Sequence, residues 1–368
     1  MYEKLFRPLL FMLDPEFSHR LVVAFLYYLY KIPGIHLLAR LLYTRLTPPL
    51  PVTVMGLEFP NPIGLAAGLD KHAKCAKGLA DMGFGWVELG TVTPQKQAGN
   101  PGKRMFRLTD NKAIINRMGF NSVGIDRFLR NLRRNGKAGI IGINIGKNRS
   151  TPMDQAVDDY LMAMQAVYPY ADYIAINISS PNTSHLRDLQ KEPNLETLLA
   201  TLKNEQIMLG KTRRHYVPLA IKISPDLTDE EIAVIAKLVI KHKIDAVIAT
   251  NTTVSRPGLE DNLEASEGGG LSGQPLKTVS TDIIRKLYNH LKGKVPIIGV
   301  GGVENASDAW DKMVAGADLV QLYTGFIYEG PAIVRRTVRG LRRRMQSSGD
   351  SSISETITKA RSGIHLMR

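Results

Sequence analysis

The chain has 368 residues, of which 44% are hydrophobic and 22% charged, and it carries a formal net charge of +14 at pH 7. This composition excludes a wholly disordered or collagen-like chain, and the single cysteine, Cys75, excludes an intramolecular disulfide, a CxxC metal or redox motif and a cysteine-ligated cluster. The excess of basic over acidic residues favours an anionic partner such as nucleic acid, an acidic lipid surface or an anionic substrate.

The first 47 residues are more apolar than the remainder of the chain. Asp14-Pro15 predicts the start of a helix, with Asp14 as the N-cap, and the pattern stays apolar on almost every side until Pro33-Gly34 interrupts it. A second helix over about 35–46 has a leucine-rich face, and the proline-rich residues 48–51 form a stiff linker. The apolar run Leu21–Tyr30 is shorter than the roughly 20 residues of a membrane span.

Two short helices with wide apolar faces can have either of two roles. They can pack on the main domain, or they can lie in a membrane interface with the apolar face towards lipid. The first helix has no charged face, which favours partial exposure to lipid, and both interpretations stay open. Acidic residues upstream and the lack of a cleavage site argue against a signal peptide. We therefore expect the protein to be made and kept in the cytoplasm, and the lipid-exposed interpretation would make it peripheral on the cytoplasmic side of the cell membrane.

From residue 52 onward, short β-branched runs alternate with helical patterns, which predicts βα units and a parallel sheet. The predicted strands are Pro62–Gly68, Trp86–Gly90, Ile140–Ile145, Tyr173–Ile178, Pro218–Ile223, Ala246–Thr250, Pro296–Val300 and Leu319–Tyr323. The predicted helices are 71–82, 126–132, 152–168, 194–208, 228–241, 279–291, 306–315 and 331–345. Eight units predict an α/β fold of the (β/α)8 TIM barrel class with a small N-terminal helical extension. A doubly wound open sheet is the alternative, with fewer strands expected.

Several segments stand outside this alternation. Val52–Phe59 predicts a short hairpin before the barrel, and the loops 100–121 and 252–275 are long enough to carry function. Residues 331–368 contain nine Lys or Arg and two Asp or Glu, so they supply +7 of the net charge. These charges can form a solvated face or contact anionic lipid.

The predicted organisation has three parts. It is an N-terminal helical segment over 1–47, a catalytic barrel over 52–345 and a disordered basic tail over 346–368.

Chemistry in a parallel barrel gathers at the carboxyl ends of the strands. Asn144, Asn177 and Lys222 interrupt otherwise apolar strands, and by alternation each is expected to point into the barrel. A satisfied core amide explains any one asparagine, but three polar residues at one level of adjacent strands favour a site. A buried lysine is costly unless it is paired. The predicted site is rich in amides and nearly free of carboxylates and histidines, which suits a flat polar ring and not a metal ion.

Glycines in the last two βα loops predict a phosphate site. Gly301-Gly302 follows the seventh strand and Thr324-Gly325 the eighth, which is the usual phosphate position in this fold. An inward lysine, a ring of amides and a phosphate loop suit FMN with a second flat substrate above it. A sugar phosphate without a cofactor fits the loop but explains the amides less well. No HExxH motif, phosphate-binding P-loop or RNA-binding signature is present, so nucleic acid is not an expected partner.

These features resemble the class 2, quinone-dependent dihydroorotate dehydrogenases over about residues 1–336. Eight motifs carry the resemblance, in order: NPIGLAAGLDK at 61–71, GTVTP at 90–94, INRMGFNS at 115–122, GINIGKN at 142–148, NISSPNT at 177–183, ATNTT at 249–253, GGLSG at 269–273 and IIGVGG at 297–302. The N-terminal helices are what class 2 adds to the soluble class 1 enzymes.

The resemblance implies a set of functional residues. FMN would be bound by Ala67, Gly68, Leu69, Asp70, Lys71, Thr91, Asn144, Asn177, Lys222, Thr250, Gly273, Gly302, Tyr323 and Thr324. Orotate would be held by Lys71, Asn116, Arg117, Met118, Gly119, Phe120, Asn177, Asn182, Asn251 and Thr252. Ser180 matches the catalytic base, which is cysteine in class 1 enzymes. His19, Arg107 and Tyr323 match residues at the inner end of a quinone tunnel formed by the N-terminal helices.

The implied activity is the oxidation of (S)-dihydroorotate to orotate, with electrons passing through FMN to ubiquinone or menaquinone, in de novo pyrimidine (UMP) biosynthesis. Ser180 and residues 1–47 argue against a soluble class 1 enzyme that uses fumarate or NAD, and the strand-end amides argue against a non-enzymatic membrane-binding module. One departure concerns the loop over the substrate. The chain has Ser184-His185-Leu186 where the commonest form has Pro-Gly-Leu, so a stiffer or differently closing lid is expected.

Overall fold

The structure is a computed structural model that describes residues 2–136, 138–259 and 262–366. The strands are β1 (Val52–Val54), β2 (Leu57–Phe59), β3 (Ile63–Leu65), β4 (Trp86–Val92), β5 (Met105–Leu108), β6 (Ala113–Asn116), β7 (Ile140–Ile145), β8 (Tyr173–Asn177), β9 (Leu219–Ile223), β10 (Ala246–Ala249), β11 (Gly270–Gly273), β12 (Ile297–Val300) and β13 (Leu319–Leu322). The α-helices are α1 (Arg7–Phe11), α2 (Pro15–Leu29), α3 (Ile35–Ala39), α4 (Ala76–Ala80), α5 (Ile125–Asn135), α6 (Ala156–Val167), α7 (Glu192–Arg213), α8 (Asp229–Lys241), α9 (Lys277–Leu291), α10 (Ala306–Ala315), α11 (Thr324–Glu329), α12 (Ala332–Ser348) and α13 (Ile353–Leu366).

Eight parallel strands close into a barrel in the order β3-β4-β7-β8-β9-β10-β12-β13. They are the eight strands predicted from the sequence, so the (β/α)8 fold class is confirmed. Every residue of β8, β9, β10, β12 and β13 is buried, because these strands face the barrel interior on one side and helices on the other. The register pairs Asn177 with Lys222 on adjacent strands, which places these polar residues at one level.

The predicted hairpin before the barrel is also confirmed. β1 pairs with β2 in antiparallel register, with Val52 opposite Phe59. Met55 and Gly56 at the turn both have positive φ, of 55° and 74°. Positive φ at both central residues gives the turn the twist that a tight hairpin needs.

The two long loops contain a small sheet that the sequence did not predict. β5 and β6 form an antiparallel pair within the loop 100–121, and β11 from the loop 252–275 pairs with β6, in the order β11-β6-β5. Asn116 of β6 and Gly273 of β11 both line the main cavity, so this sheet borders it. Each strand has four residues and β11 pairs across more than 150 residues of sequence, so no local pattern marks the pairing.

The N-terminal segment contains the two helices predicted for it. Asp14 caps α2, and its side chain accepts hydrogen bonds from the backbone N–H groups of Glu16 and Phe17. The second helix consists of α3 followed by a π-helical turn over Arg40–Thr44. Glu16 forms an ion pair with Arg104 at 2.7 Å, which ties α2 to the loop before β5. Among the residues that the structure describes, no helix is both long and apolar enough to cross a membrane.

The prediction of a disordered tail is wrong for residues 346–366. α12 continues to Ser348, Gly349 ends it with a positive φ of 73°, and α13 follows. Ile353 and Ile357, one turn apart, are 1% and 5% exposed. The Arg361 side chain donates to the carbonyls of Met313 and Ala317. The Ser/Gly-rich stretch is therefore a short connection, and the isoleucines that pack α13 lie beyond it. Residues 367–368 of the predicted tail lie outside the described residues.

Candidate active site

A cavity of about 1080 Å³, partly open to solvent, lies at the carboxyl end of the barrel. It brings together most of the residues predicted from the sequence: His19, Ala67, Gly68, Lys71, Thr91, Asn116, Met118, Gly119, Phe120, Asn177, Ser180, Asn182, Lys222, Thr250, Asn251, Thr252, Gly273, Gly302, Tyr323 and Thr324. Residues from distant parts of the sequence meet here because parallel strands all end at the same side of the barrel.

Five predicted residues do not line this cavity. Leu69 packs in the core, and the Asp70 carboxylate accepts hydrogen bonds from the backbone N–H groups of residues 72, 74 and 75, which folds the loop after β3. Arg117 pairs with Glu267 at 2.6 Å, away from the cavity. Arg107 donates to the Phe11 carbonyl at 2.9 Å. Asn144 lies fully buried beneath the cavity floor.

Amide side chains form a connected network at the cavity floor. Asn144 Oδ1 accepts hydrogen bonds from Thr91 Oγ1 at 2.5 Å and from Asn177 Nδ2 at 3.2 Å. Asn251 Nδ2 in turn donates to Asn177 Oδ1 at 3.2 Å. The network fixes which way each amide points, so the Asn177 and Asn251 side chains meet a ligand in one defined orientation.

A buried carboxylate, Glu88 on β4, lies directly behind this network. Its Oε1 accepts from Asn144 Nδ2 at 2.8 Å, and its Oε2 accepts from the Tyr173 hydroxyl and from Gln321 Nε2, each at 2.7 Å. Glu88 is 0% exposed and Lys222 Nζ lies 3.9 Å from Oε1. The expectation of a barrel mouth nearly free of carboxylates therefore missed the anion that accompanies the inward lysine.

Lys222 and Gln321 present unsatisfied polar atoms at the cavity. Burial lowers the pKa of Lys222, and the Glu88 carboxylate partly offsets this effect. Within the described part of the chain, Lys222 Nζ makes no hydrogen bond and Gln321 Oε1 has no partner, although both residues line the cavity. The cavity floor therefore offers one hydrogen-bond donor and one acceptor. These fit a flat ring that itself carries both an acceptor and a donor.

The glycine loop after β12 packs tightly against the start of α9. A Cβ placed on Gly302, which has a φ of +68°, would lie 2.6 Å from the Lys277 backbone nitrogen. A Cβ on Gly325 would lie 2.1 Å from the Val303 carbonyl oxygen. Only glycine allows this close approach of backbone, which leaves main-chain N–H groups at the cavity wall. Bare N–H groups in a concave loop are the feature that binds a phosphate group.

Ser180 lies on the opposite side of the cavity, in the loop after β8. It is 6% exposed, and its Oγ accepts a hydrogen bond from the Asn182 backbone N–H at 3.3 Å. Asn182 Nδ2 donates to Asn116 Oδ1 at 3.2 Å, so the small sheet and this loop touch. Among the described residues, no histidine or carboxylate is hydrogen-bonded to Ser180.

Lys71, in the loop after β3, supplies a second cation at the cavity. Its Nζ donates to Asn121 Oδ1 at 3.0 Å. Burial, with a smaller contribution from Arg104, lowers the pKa of Lys71 to about 8, so the side chain is still largely protonated at neutral pH. A carboxylate placed beside it would meet a positive charge inside a poorly solvated site.

The loop that departs from the family pattern has a defined geometry. His185 adopts φ +58° and ψ 2°, a left-handed conformation that glycine enters without steric cost. The His185 side chain is exposed beside Asp188, whereas the following Leu186 is fully buried. The chain therefore folds through the same kind of turn that a glycine would make, with a histidine in it.

The N-terminal helices reach the cavity through His19. Burial and the neighbouring Lys71 and His72 lower the pKa of His19 to about 4, so its ring is neutral at physiological pH. Burial raises the pKa of Tyr323 to about 12, so its hydroxyl stays protonated. Arg107 of β5 stacks on the ring of Phe11 in α1, with its guanidinium carbon 4.1 Å from the ring centroid. His19 and Tyr323 therefore present neutral rings to the cavity.

Sequence reasoning missed several cavity residues, chiefly Met105, Ser272, Leu276 and Gln321, and it also missed Glu88, which is buried behind the cavity floor. The rule that found Lys222 would also have found Glu88 and Gln321, because each interrupts an apolar strand, in WVELG and LVQLY. Met105, Ser272 and Leu276 carry no such signal, since the small sheet and the start of α9 bring them to the cavity. Among the described residues, no group of three His, Cys, Asp or Glu side chains is placed to hold a metal ion.

Known proteins are similar to this chain in sequence and in fold. Residues 49–345 match the family model described as dihydroorotate dehydrogenase. The dihydroorotate dehydrogenase (quinone) of Nitrosomonas europaea is 52% identical over 351 residues, which cover 95% of this chain and 100% of that protein. The protein of the same name from Idiomarina loihiensis is 51% identical over 337 residues, 92% of this chain and 99% of that protein. The crystal structure of DHODH from Eimeria tenella in complex with ferulenol has a TM-score of 0.85 at 38% identity, covering 94% of this chain and 95% of that one.

Proposed function

Because the chain belongs to the dihydroorotate dehydrogenase family, we propose that it oxidises (S)-dihydroorotate to orotate and passes the electrons through FMN to a membrane quinone, in pyrimidine (UMP) biosynthesis. The observation that carries this proposal is the cavity floor. Among the described residues, Lys222 Nζ and Gln321 Oε1 have no hydrogen-bond partner there, and the same cavity is lined by Ser180 and by the glycine loop.

The residues of the cavity fit FMN. The Gly302 and Thr324 loops would hold the phosphate, and Thr91, Asn177, Lys222 and Thr250 would hold the ring. Bound FMN would supply two-electron redox chemistry. Lys222 would stabilise negative charge that develops on the ring during reduction, because a cation fixed in a poorly solvated site needs no reorganisation. Asn144 contributes from beneath, by orienting Asn177 and Thr91.

Ser180 would take the proton from C5 of dihydroorotate while hydride leaves C6. A serine hydroxyl is far from ionised at neutral pH, so this step requires a site closed to bulk solvent and an onward path for the proton. No titratable side chain among the described residues is hydrogen-bonded to Ser180, so water is the proton acceptor that is consistent with the geometry. Asn182 and Asn251 would hold the substrate ring, and Lys71 would pair with its carboxylate.

The N-terminal segment would deliver the quinone. His19 and Tyr323 line the cavity, and Arg107 of β5 is hydrogen-bonded to Phe11 of α1. An apolar quinone ring needs a dry route, and this route begins among the exposed apolar side chains of α1, α2 and α3. The preferred quinone, ubiquinone or menaquinone, would be decided by side chains along this route.

We further propose that this segment docks on an anionic membrane surface. Sixteen of the 22 exposed large hydrophobic side chains in the described part of the chain lie between Leu5 and Leu46. Soluble proteins rarely leave so large an apolar patch uncovered. The three acidic residues of the segment are already engaged, Glu3 with Arg336, Glu16 with Arg104, and Asp14 as the α2 cap.

Cations without ion-pair partners surround this patch. The side chains of Lys4, Arg20, Lys31 and Arg45 are exposed, and no described carboxylate lies within 4.0 Å of them. On α12, Arg339 donates to the Leu46 carbonyl, which places the basic face of that helix beside the patch. An apolar surface bordered by cations is the complement of a bilayer with acidic headgroups.

Sedimentation with vesicles tests the docking proposal. Arg339→Gln with Arg343→Gln is expected to weaken partition onto phosphatidylglycerol-containing vesicles by roughly 10- to 30-fold. Arg213→Gln with Arg214→Gln, an exposed pair at the end of α7, makes the same charge change on another helix and should have little effect. Equal binding of wild type to neutral and anionic vesicles would contradict the charge contribution.

A parallel assay tests the activity itself. Purified protein should absorb as a flavoprotein and oxidise dihydroorotate with a quinone, but not with fumarate or NAD. Turnover with fumarate or NAD would indicate the class 1 reaction instead. Protein that lacks flavin and does not bind added FMN would contradict the proposal.

A further inference from the structure

Lys312 on α10 is a buried ammonium group that the proposed reaction does not use. The residue is 0% exposed. Its Nζ donates hydrogen bonds to the Lys277 carbonyl at 2.8 Å, to Thr281 Oγ1 at 2.7 Å and to Ser280 Oγ. All three acceptors are uncharged, and no carboxylate of the described residues lies within 4.0 Å of Nζ. A buried charge held only by neutral groups is costly, so its compensation must lie elsewhere.

The nearest acidic side chains are already paired with other cations. Asp308 and Asp311 form ion pairs with Lys277 Nζ at 2.5 and 3.3 Å, and Asp282 pairs with Arg285. Burial, followed by the like charge of Lys277, lowers the pKa of Lys312 to about 7. The protein by itself therefore leaves this ammonium poorly compensated at neutral pH.

Lys312 lies immediately behind the glycine loop of the cavity. Ser280 Oγ, which accepts from Lys312, itself donates to the Gly301 carbonyl at 3.2 Å. The Lys277 residue whose carbonyl binds Lys312 is also the one whose backbone packs on Gly302. One hydroxyl group thus separates Nζ from the backbone of Gly301, and Gly301 and Gly302 both line the cavity.

We propose that Lys312 is the counter-charge of the FMN phosphate, a cation held one hydroxyl behind the Gly301–Gly302 loop that strengthens phosphate binding without touching the phosphate. The inference rests on the proposed FMN-dependent function. It makes Lys312 a positioning residue, which acts on the phosphate through its field and through Ser280, and not a catalytic residue. A dianion at the loop would supply the negative charge that the surrounding protein does not.

Riboflavin, which is FMN without the phosphate, separates this role from a structural one. A lysine that only ties α10 to the start of α9 would affect the binding of both flavins alike. A counter-charge affects FMN alone. The ratio of the two affinities is therefore insensitive to a general loosening of the fold.

The experiment removes the flavin from the purified holoenzyme and measures the dissociation constants of FMN and riboflavin by flavin fluorescence. Lys312→Met is expected to weaken FMN binding about tenfold or more and to leave riboflavin binding within about twofold, because a buried unit charge behind the loop would act on the charged phosphate and not on the uncharged riboflavin. Lys312→Gln keeps a hydrogen-bond donor and should show the same loss, which assigns the effect to charge.

Lys147→Met is the matched control. Lys147 is also buried, at 2% exposed, and its Nζ also donates only to carbonyls, those of Asn148 and Thr151. It does not line the cavity, so the ratio of FMN to riboflavin affinity should stay at the wild-type value.

Three results would overturn the inference: equal losses for FMN and riboflavin in Lys312→Met, no loss for either, or a wild-type chain that binds FMN no better than riboflavin. A protein that keeps the phosphate-specific loss in Lys312→Met but does not oxidise dihydroorotate would count only against the proposed reaction.

Discussion

Two buried lysines of this barrel are accommodated in different ways. Lys222 has a carboxylate, Glu88, 3.9 Å away, whereas the acceptors of Lys312 among the described residues are all neutral. A charge inside a protein persists when an opposite charge or several hydrogen bonds compensate its loss of hydration. Each lysine lies next to part of the cavity, Lys222 at the floor and Lys312 behind the glycine loop. At the scale of single residues, the site is an arrangement of buried charges.

Replacing the Glu88 carboxylate by an amide should disturb the whole floor. In Glu88→Gln, the new amide cannot accept from Asn144, Tyr173 and Gln321 together, and Lys222 loses its counter-charge. We expect a loss of unfolding free energy on the order of 3–5 kcal/mol and weaker flavin retention. Urea unfolding and the flavin-to-protein absorbance ratio measure these two effects.

Glu58→Gln is the control for this variant, because Glu58 is exposed on the hairpin and should change stability by less than about 0.5 kcal/mol. Full stability and full flavin content in Glu88→Gln would refute a role for the carboxylate.

Ser180→Ala should slow flavin reduction by dihydroorotate by about 10²–10⁴-fold, the usual cost of losing a general base. Orotate binding should change little, because Asn177 and Asn182 still hold the ring, and reoxidation by quinone should be unaffected. Stopped-flow bleaching of the flavin under anaerobic conditions measures the step.

The exposed Ser184→Ala, in the same loop, is the matched control and should bleach at the wild-type rate. Unchanged bleaching in Ser180→Ala would assign the base to another group of the 179–185 loop.

At the scale of helices and strands, side-chain packing and not composition determines which segments are ordered. The Ser/Gly-rich residues after α12 suggested disorder, yet Ile353 and Ile357 pack α13 against α10 and α12. Composition averages over a segment, whereas an amphipathic helix needs only a few apolar residues at the correct spacing. The short strands β5, β6 and β11 escaped prediction for a related reason, since their partners are distant in sequence.

Ile353→Ala tests whether α13 contributes to stability. Removing a side chain that is 1% exposed should lower the unfolding free energy by about 2–5 kcal/mol. Ile207→Ala on α7, where the isoleucine is 44% exposed, should cost much less. Thermal or urea unfolding of the two variants gives the comparison, and equal stabilities would mean that α13 does not pack in solution.

At the scale of the whole molecule, the barrel and the N-terminal segment have different roles. The barrel supplies the cavity, and the segment contributes His19 to it together with most of the exposed apolar surface. Several polar contacts join the two, among them the ion pair of Glu16 with Arg104 and the hydrogen bond from Thr44 to the Asp81 carbonyl. Among the described residues, none of the first 47 is a buried member of the barrel core, although Val23, Leu26 and Tyr27 pack against it from outside.

Deleting residues 1–47 should therefore leave a folded barrel that binds flavin and is reduced by dihydroorotate, but that no longer turns over a long-chain quinone. Flavin absorbance, anaerobic bleaching and a quinone assay measure the three properties in one preparation. Solubility needs checking first, because the deletion exposes apolar surface. Undiminished turnover of the long-chain quinone would refute the delivery role of the segment.

The sequence by itself determined the eight strands, their polar interruptions and the glycine loops. These features depend on local chemistry: β-branched runs, a lysine in an apolar strand, and glycines where backbone must approach closely. The same rule, applied to every strand, would also have marked Glu88 and Gln321.

Only the tertiary structure decided which of these groups meet. Three of these contacts join residues that are more than 10 positions apart in the sequence. Glu88 lies 3.9 Å from Lys222, Arg339 contacts Leu46, and Lys312 reaches Gly301 through one hydroxyl group. Closure of the barrel and packing of the outer helices create these contacts. The electrostatic environment of a side chain depends on neighbours that are distant in sequence, so a local sequence pattern does not reveal it.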